Sequence, residues 1–153
     1  MAYAENTSVP IERSKAEIER LMVRYGADQF CSGWEHNKAL IRFRAGGWFV
    51  RFELELPEVS DFHVTSTGRA RRSETAARVA WEQACRQKWR ALALVLKAKL
   101  EAISSGISTF EDEFLAHVIL PNGSTVGQFM VPQLEHAYTS GRMPALLPML
   151  EGK

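Results

Sequence analysis

Apolar residues recur at helical spacing early in the chain, at Ile11, Ile18, Leu21 and Met22, with charges between them. That stripe predicts a first helix over 10–25, with Pro10 suited to its first turn and Gly26 to its end. The period then shortens to two. "DQFCSGWEHNKALIRFRAGGWFVRFELELPE" alternates and is punctuated by "HNK" and "AGG", the pattern of a three-stranded antiparallel meander with strands over 29–35, 38–45 and 47–56. Alternation sorts the side chains. Phe30, Trp34, Ala39, Ile41, Phe43, Trp48, Val50, Phe52, Leu54 and Leu56 form an apolar face that must look toward the core. Gln29, Cys31, Leu40, Arg42, Arg44, Phe49, Arg51 and Glu53 form the opposite face, polar and basic, with one aromatic ring.

A polar loop over 58–72 leads into a second, much longer helix over 73–105. Ser73 suits its N-cap and Glu74 complements the helix dipole. Trp81, Cys85, Trp89, Leu92, Leu96, Leu100 and Ile103 step by three and four along it. Its second half is apolar almost all round, so other elements must bury it. The remainder supplies them: a short helix in "STFEDEFLAHVIL" capped by Ser108 or Thr109, a tight turn at "PNG" (121–123), and a helix over 125–138 interrupted or bent near Pro132. "MPALLP" (143–148) forms a tail. The expected architecture is α+β: an α-β-β-β-α core over 1–105, its meander packed on the long helix, and a helical extension over 106–153, together one domain over 1–153.

Composition changes this picture little. The chain has 153 residues, 46% of them hydrophobic and 24% charged, values of an ordinary globular domain. Charge placement says more than the net +1. Residues 61–105 carry 9 Lys/Arg against 4 Asp/Glu, whereas 1–60 carry 8 against 9 and 106–153 carry 2 against 5. The two cysteines, Cys31 and Cys85, are widely spaced and suit neither a zinc site nor a disulfide framework. The N-terminus lacks the basic start and apolar run of a signal peptide, and "ALALVL" (91–96) is too short to span a bilayer. A cytoplasmic location in a bacterial host, with no membrane partner, is the expectation.

Candidate chemistry centres on the basic third. Arg69, Arg71 and Arg72 approach a helix N-terminus, whose unpaired N–H groups already favour anions, and Arg78 follows in the helix. Arg42, Arg44 and Arg51 share a sheet face with Phe49, a combination that can hold a nucleic-acid backbone while a base stacks. The same residues also fit a solvated helix entrance and a sheet face covered by another subunit. The four histidines, His36, His63, His117 and His136, show no metal-ligand spacing. Glu111, Asp112 and Glu113 could pair carboxylates around a divalent ion, but adjacent helical residues point apart and acids are expected in a first turn. No metal and no cofactor is expected.

Several resemblances bear on this. "HVT" (63–65) resembles the His-x-Thr motif of two-histidine phosphoesterases, whose second copy here would have to be "HVI" (117–119), which lacks the hydroxyl. The element order resembles the double-stranded-RNA-binding domain, with "RARRSETAA" where that domain's phosphate-contacting residues stand; the second helix is longer and the first strand connection tighter than in that domain. The helix-flanked β-β-β-α order also resembles phage single-strand annealing proteins. Across nearly the whole chain, "YAENTSVPIERSKAEIERLMVRYGA" (3–27), "AWEQACRQKWRALALVLKAKLEAISSGISTFEDEFLAHVILPNGSTVG" (80–127) and "GRMPALLP" (141–148) resemble a family of small bacteriophage and prophage proteins without an assigned activity. That resemblance implies an accessory protein. The leading expectation is non-enzymatic binding of single- or double-stranded nucleic acid. Two alternatives stay open: a module that binds a host or phage protein, or a further copy of itself, and an enzyme acting on a phosphodiester or nucleotide through His63 and an acidic partner.

Overall fold

The computed structural model describes residues 2–143; "PALLP" in the tail lies outside them. The architecture is α+β. Helix α1 (Ile11–Arg24) buries Ser14, Ile18 and Met22, the face the opening stripe marks. Gly26, at φ +90°, reverses the chain into the sheet. Strands β1 (Gln29–Glu35), β2 (Lys38–Ala45) and β3 (Trp48–Glu55) pair antiparallel in the order β1-β2-β3. The β2–β3 connection is two glycines, Gly46 and Gly47, both at positive φ, as a hairpin turn matched to strand twist requires.

The polar connection is more ordered than its composition suggests. It begins with a 3-10 turn (Val59–Phe62), and Trp81 donates its indole N–H to the Pro57 carbonyl at 2.7 Å. Helix α2 (Glu74–Ser104) follows, with Ser73 accepting from the Ala76 N–H. Its 31 residues span about 46 Å at 1.5 Å per residue, more than the sheet. Trp89, Ala93, Leu96 and Leu100 meet Ile41, Phe43, Val50 and Phe52 in one core with Ile18 and Met22 of α1. No helix among the described residues is long and apolar enough to cross a membrane.

The segment after α2 joins this same core through Phe110, Phe114, Val118 and Val126. Thr109 caps α3 (Phe110–Phe114) by accepting from Asp112 N–H. Phe114, fully buried, sets its ring edge-to-face against Phe43 and Phe52, at 5.6 and 6.0 Å between centroids. A 3-10 turn (Leu115–His117) places the His117 ring flat on Phe52, 3.9 Å away. Val118 then bridges to Val50, and Ile119 N–H bonds the Phe49 carbonyl, so the extension covers part of the outer edge of β3. Helix α4 (Val126–Ser140) opens on a capping box between Thr125 and Gln128 and ends at Gly141.

Four expectations change. The sheet's apolar face is not core throughout: Trp34 is 76% exposed, because the helix layer meets β2 and β3 and leaves the outer strand β1 almost uncovered. Trp48, on the same face, is exposed too, its indole N–H on Glu111. The helix α4 is neither interrupted at Pro132 nor confined to 125–138; it runs through the proline, although the proline has no N–H for the Gln128 carbonyl. Burial of the second half of α2 is incomplete, since Val95 and, just past its end, Ile107 face solvent.

Candidate nucleic-acid interface

The eight residues singled out from the sequence fall into two separate places. Arg42, Arg44, Phe49 and Arg51 project from the sheet face opposite the core. Arg69, Arg71, Arg72 and Arg78 belong to the helix layer, at the start of α2. The core places Ile41, Phe43, Val50 and Phe52 against α2, so alternation turns the even residues of β2 and the odd residues of β3 outward. The structure does not gather the two arginine groups onto one face.

On the sheet, the ladder sets Phe49 opposite Arg44 and Arg42 opposite Arg51. The guanidinium carbons of Arg42 and Arg44 lie 4.9 and 5.7 Å from the Phe49 ring centre, both within cation–π range. The three arginines then part company. Arg44 clasps Asp28, its Nε 2.8 and 3.1 Å from the two carboxylate oxygens; these hydrogen bonds hold the Asp28 carboxyl below its ordinary range and raise Arg44. Arg51 donates to the Gly123 carbonyl at 2.8 Å and to Gln128 Oε1 at 3.0 Å, and pairs with Glu53. It braces the extension against β3. Arg42 alone carries a charge with no acidic partner among the described residues, and it is exposed.

Around Arg42 and Phe49 runs a groove. A cavity of about 680 Å³ is walled by Leu40 and Phe49 from the sheet and by Ile119, Leu120 and Pro121 from the extension. A second, of about 610 Å³, shares Cys31, Arg42 and Phe49. The far wall is the part sequence reasoning missed. Its signal was the β-branched run Val118–Ile119 before the "PNG" turn, which reads as strand rather than as the end of a helix.

The loop at 63–72 is a small hairpin. Val64 bridges to Arg71, Thr65 N–H bonds the Ala70 carbonyl, and Arg72 N–H bonds the His63 carbonyl at 2.8 Å. Gly68, at φ +68°, makes the turn, a conformation glycine adopts without strain. Arg72 is the hairpin's own clamp, its guanidinium donating to the Phe62 and Val64 carbonyls. Arg69 and Arg71 follow that turn. Both are exposed, as is Arg78, and no carboxylate pairs with any of the three among the described residues. The finger therefore presents positive charge that no carboxylate among the described residues compensates.

The other candidates disperse. His63 is exposed and its imidazole takes part in no hydrogen bond or ion pair among the described residues, while His117 sits in the sheet–extension junction. There, burial and nearby Lys99 hold it below the usual histidine range, against a backbone hydrogen bond with Arg51. Glu111 accepts from Trp48, Asp112 from the Thr109 hydroxyl, and Glu113 from Lys99; the three carboxylates serve three different contacts. Among the described residues no cluster of three or more His, Cys, Asp or Glu could hold a metal ion. His36, in the β1–β2 turn, adopts φ +52°. Cys31 is exposed; Cys85 is buried, and burial pushes its thiol up. No protein-family model matches the chain, and neither a curated protein nor a solved structure matches it.

Proposed function

We propose that the protein binds nucleic acid without catalysis, as an accessory factor of the kind phages and prophages encode, and that single strands are its preferred form. The observation that carries this reading is the grooved aromatic platform around Arg42 and Phe49, with a second group of exposed arginines elsewhere on the surface that have no acidic partner among the described residues. Arg69, Arg71 and Arg78 supply phosphate contacts at a helix N-terminus, and Arg42, 4.9 Å over the Phe49 ring, offers a cationic, aromatic surface in a groove with apolar walls. Phosphate neutralisation supplies affinity, and stacking of unpaired bases on aromatic or guanidinium planes supplies the preference for single strands. Arg44, Arg51 and Arg72 act by holding these surfaces in shape.

The test is fluorescence anisotropy of labelled single- and double-stranded oligonucleotides with the wild type, the Arg69→Ala/Arg71→Ala variant and the Arg42→Ala/Phe49→Ala variant. Both variants should weaken single-strand binding, the second by about tenfold or more, since stacking contributes ~1–3 kcal/mol per base. Undiminished binding by both variants refutes the assignment of the site.

A second reading has its own observation. None of the residues of α4 is buried, and Val131, Leu134 and Tyr138 lie open along it, as on a helix that meets a protein partner. Salt-tolerant capture of one partner, lost on Leu134→Glu, would favour that reading.

A further inference from the structure

Strand β1 is a sheet edge unlike the other. The outer edge of β3 is covered in part by residues 118–119, whereas among the described residues β1 has only β2 beside it, and all its residues except Phe30 are exposed. It carries no proline or lysine and no bulge, the usual devices that blunt an edge.

The ladder fixes what β1 offers. Leu56 N–H bonds the Asn37 carbonyl, so odd residues of β2 bond toward β3 and even residues toward β1. With Cys31 opposite Arg42 and Gly33 opposite Leu40, the odd residues of β1 spend their backbone groups on β2. Phe30, Ser32 and Trp34 therefore direct theirs outward.

We infer that β1 pairs antiparallel with β1 of a second copy of this chain, about a twofold axis at Ser32, joining two sheets into one of six strands. This is the register that pairs all seven residues of both strands, and it is self-complementary. Phe30 falls opposite Trp34 of the second copy, twice, giving two aromatic cross-strand pairs on the face that alternation marks as core. That accounts for a tryptophan 76% exposed in the single chain. On the other face Gln29 falls opposite Glu35 of the second copy. The row across the joined sheet then reads Arg44, Gln29, Glu35, Lys38, the outer pairs being those of β1 with β2, so the acid lies between a neutral amide and a lysine rather than beside its own kind. Cys31 falls opposite Gly33 of the second copy, where small side chains permit close approach. The joined outer face would carry two Arg42–Phe49 platforms, but the pairing does not depend on their function.

Two measurements test it. Sedimentation velocity from roughly 1 µM to roughly 100 µM should show a concentration-dependent dimer. Ser32→Pro should leave the monomer folded by circular dichroism and abolish the dimer, since the N–H it deletes points away from β2 and bonds nothing among the described residues. A wild type that stays monomeric across that range, or a Ser32→Pro variant that dimerises as the wild type does, overturns the inference. For register, Gly33→Cys places a thiol opposite native Cys31 of the second copy in a closely spaced pair, and a Cβ at Gly33 meets nothing within 4 Å. Mild oxidation should convert most of that variant to disulfide-linked dimer, and Gly33→Cys/Cys31→Ser should give none. Equal cross-linking of both variants rules out the register.

Discussion

Replacing Phe114 by alanine would remove the ring that joins the C-terminal extension to the sheet. The side chain is fully buried, edge-on to Phe43 and Phe52 and 4.8 Å from Phe110 between centroids. Truncating a buried phenylalanine costs about 3–5 kcal/mol, and the loss of two edge-to-face pairs places this site toward the upper half of that range. A domain of this size is typically stable by about 5–15 kcal/mol, and 1 kcal/mol moves the midpoint of a 150-residue domain by about 2–4 °C. A fall of about 8–20 °C is expected. Urea denaturation followed by both far-ultraviolet circular dichroism and tryptophan fluorescence checks it: the two signals should coincide in the wild type and shift together in the variant, with the slope unchanged. A cost under about 1 kcal/mol, or two separate wild-type transitions, would show that residues 106–143 are not part of the cooperative core.

Two further consequences concern the junction and the finger. His117 titrates below its ordinary value in the folded protein because of burial and Lys99; its neutral form is the one that fits. Stability from this group is present above about pH 6.5 and is lost as pH falls through the folded value. His117→Phe, which can still stack on Phe52, should flatten the stability difference between pH 7.5 and 5.5; an unchanged difference assigns it elsewhere. Asp28, held low by Arg44, contributes stability above about pH 4 that is lost only as pH falls below that value, a separate window. Arg72→Ala should release the Phe62 and Val64 carbonyls and open the finger locally, so that trypsin cuts after Arg69 and Arg71 faster while global stability changes by about 1 kcal/mol or less. Equal cleavage rates would deny Arg72 its clamping role.

The elements were legible where one local rule governed the chain. The stripe at Ile11–Met22, the glycine pair at 46–47 and the alternation of β2 and β3 each correspond to what is observed. Trp34 was misread because alternation reports which face a residue occupies and not whether a helix reaches that far. The interruption expected near Pro132 does not occur, because the Gln128 carbonyl that loses its i+4 donor lies on an exposed helix where water can pair it. For the candidate site, the sequence marks the arginines by type but not by occupation. Arg42, Arg44 and Arg51 read alike along the chain, and only long-range partners, Asp28 for one and Gly123 and Gln128 for another, separate two braces from one open charge. The groove wall at 119–121 depends on a pairing with β3 seventy residues away in sequence, which no local pattern carries.

The most direct test of the nucleic-acid account is the salt dependence of single-strand binding. Four exposed arginines without acidic partners among the described residues, Arg42, Arg69, Arg71 and Arg78, would displace about four counterions, for a slope of log K on log salt near −2.8 at ~0.7 per contact. Removing Arg69 and Arg71 together should bring that slope to about −1.4. A slope near zero, or one the double variant leaves unchanged, would contradict the claim that these arginines hold phosphate.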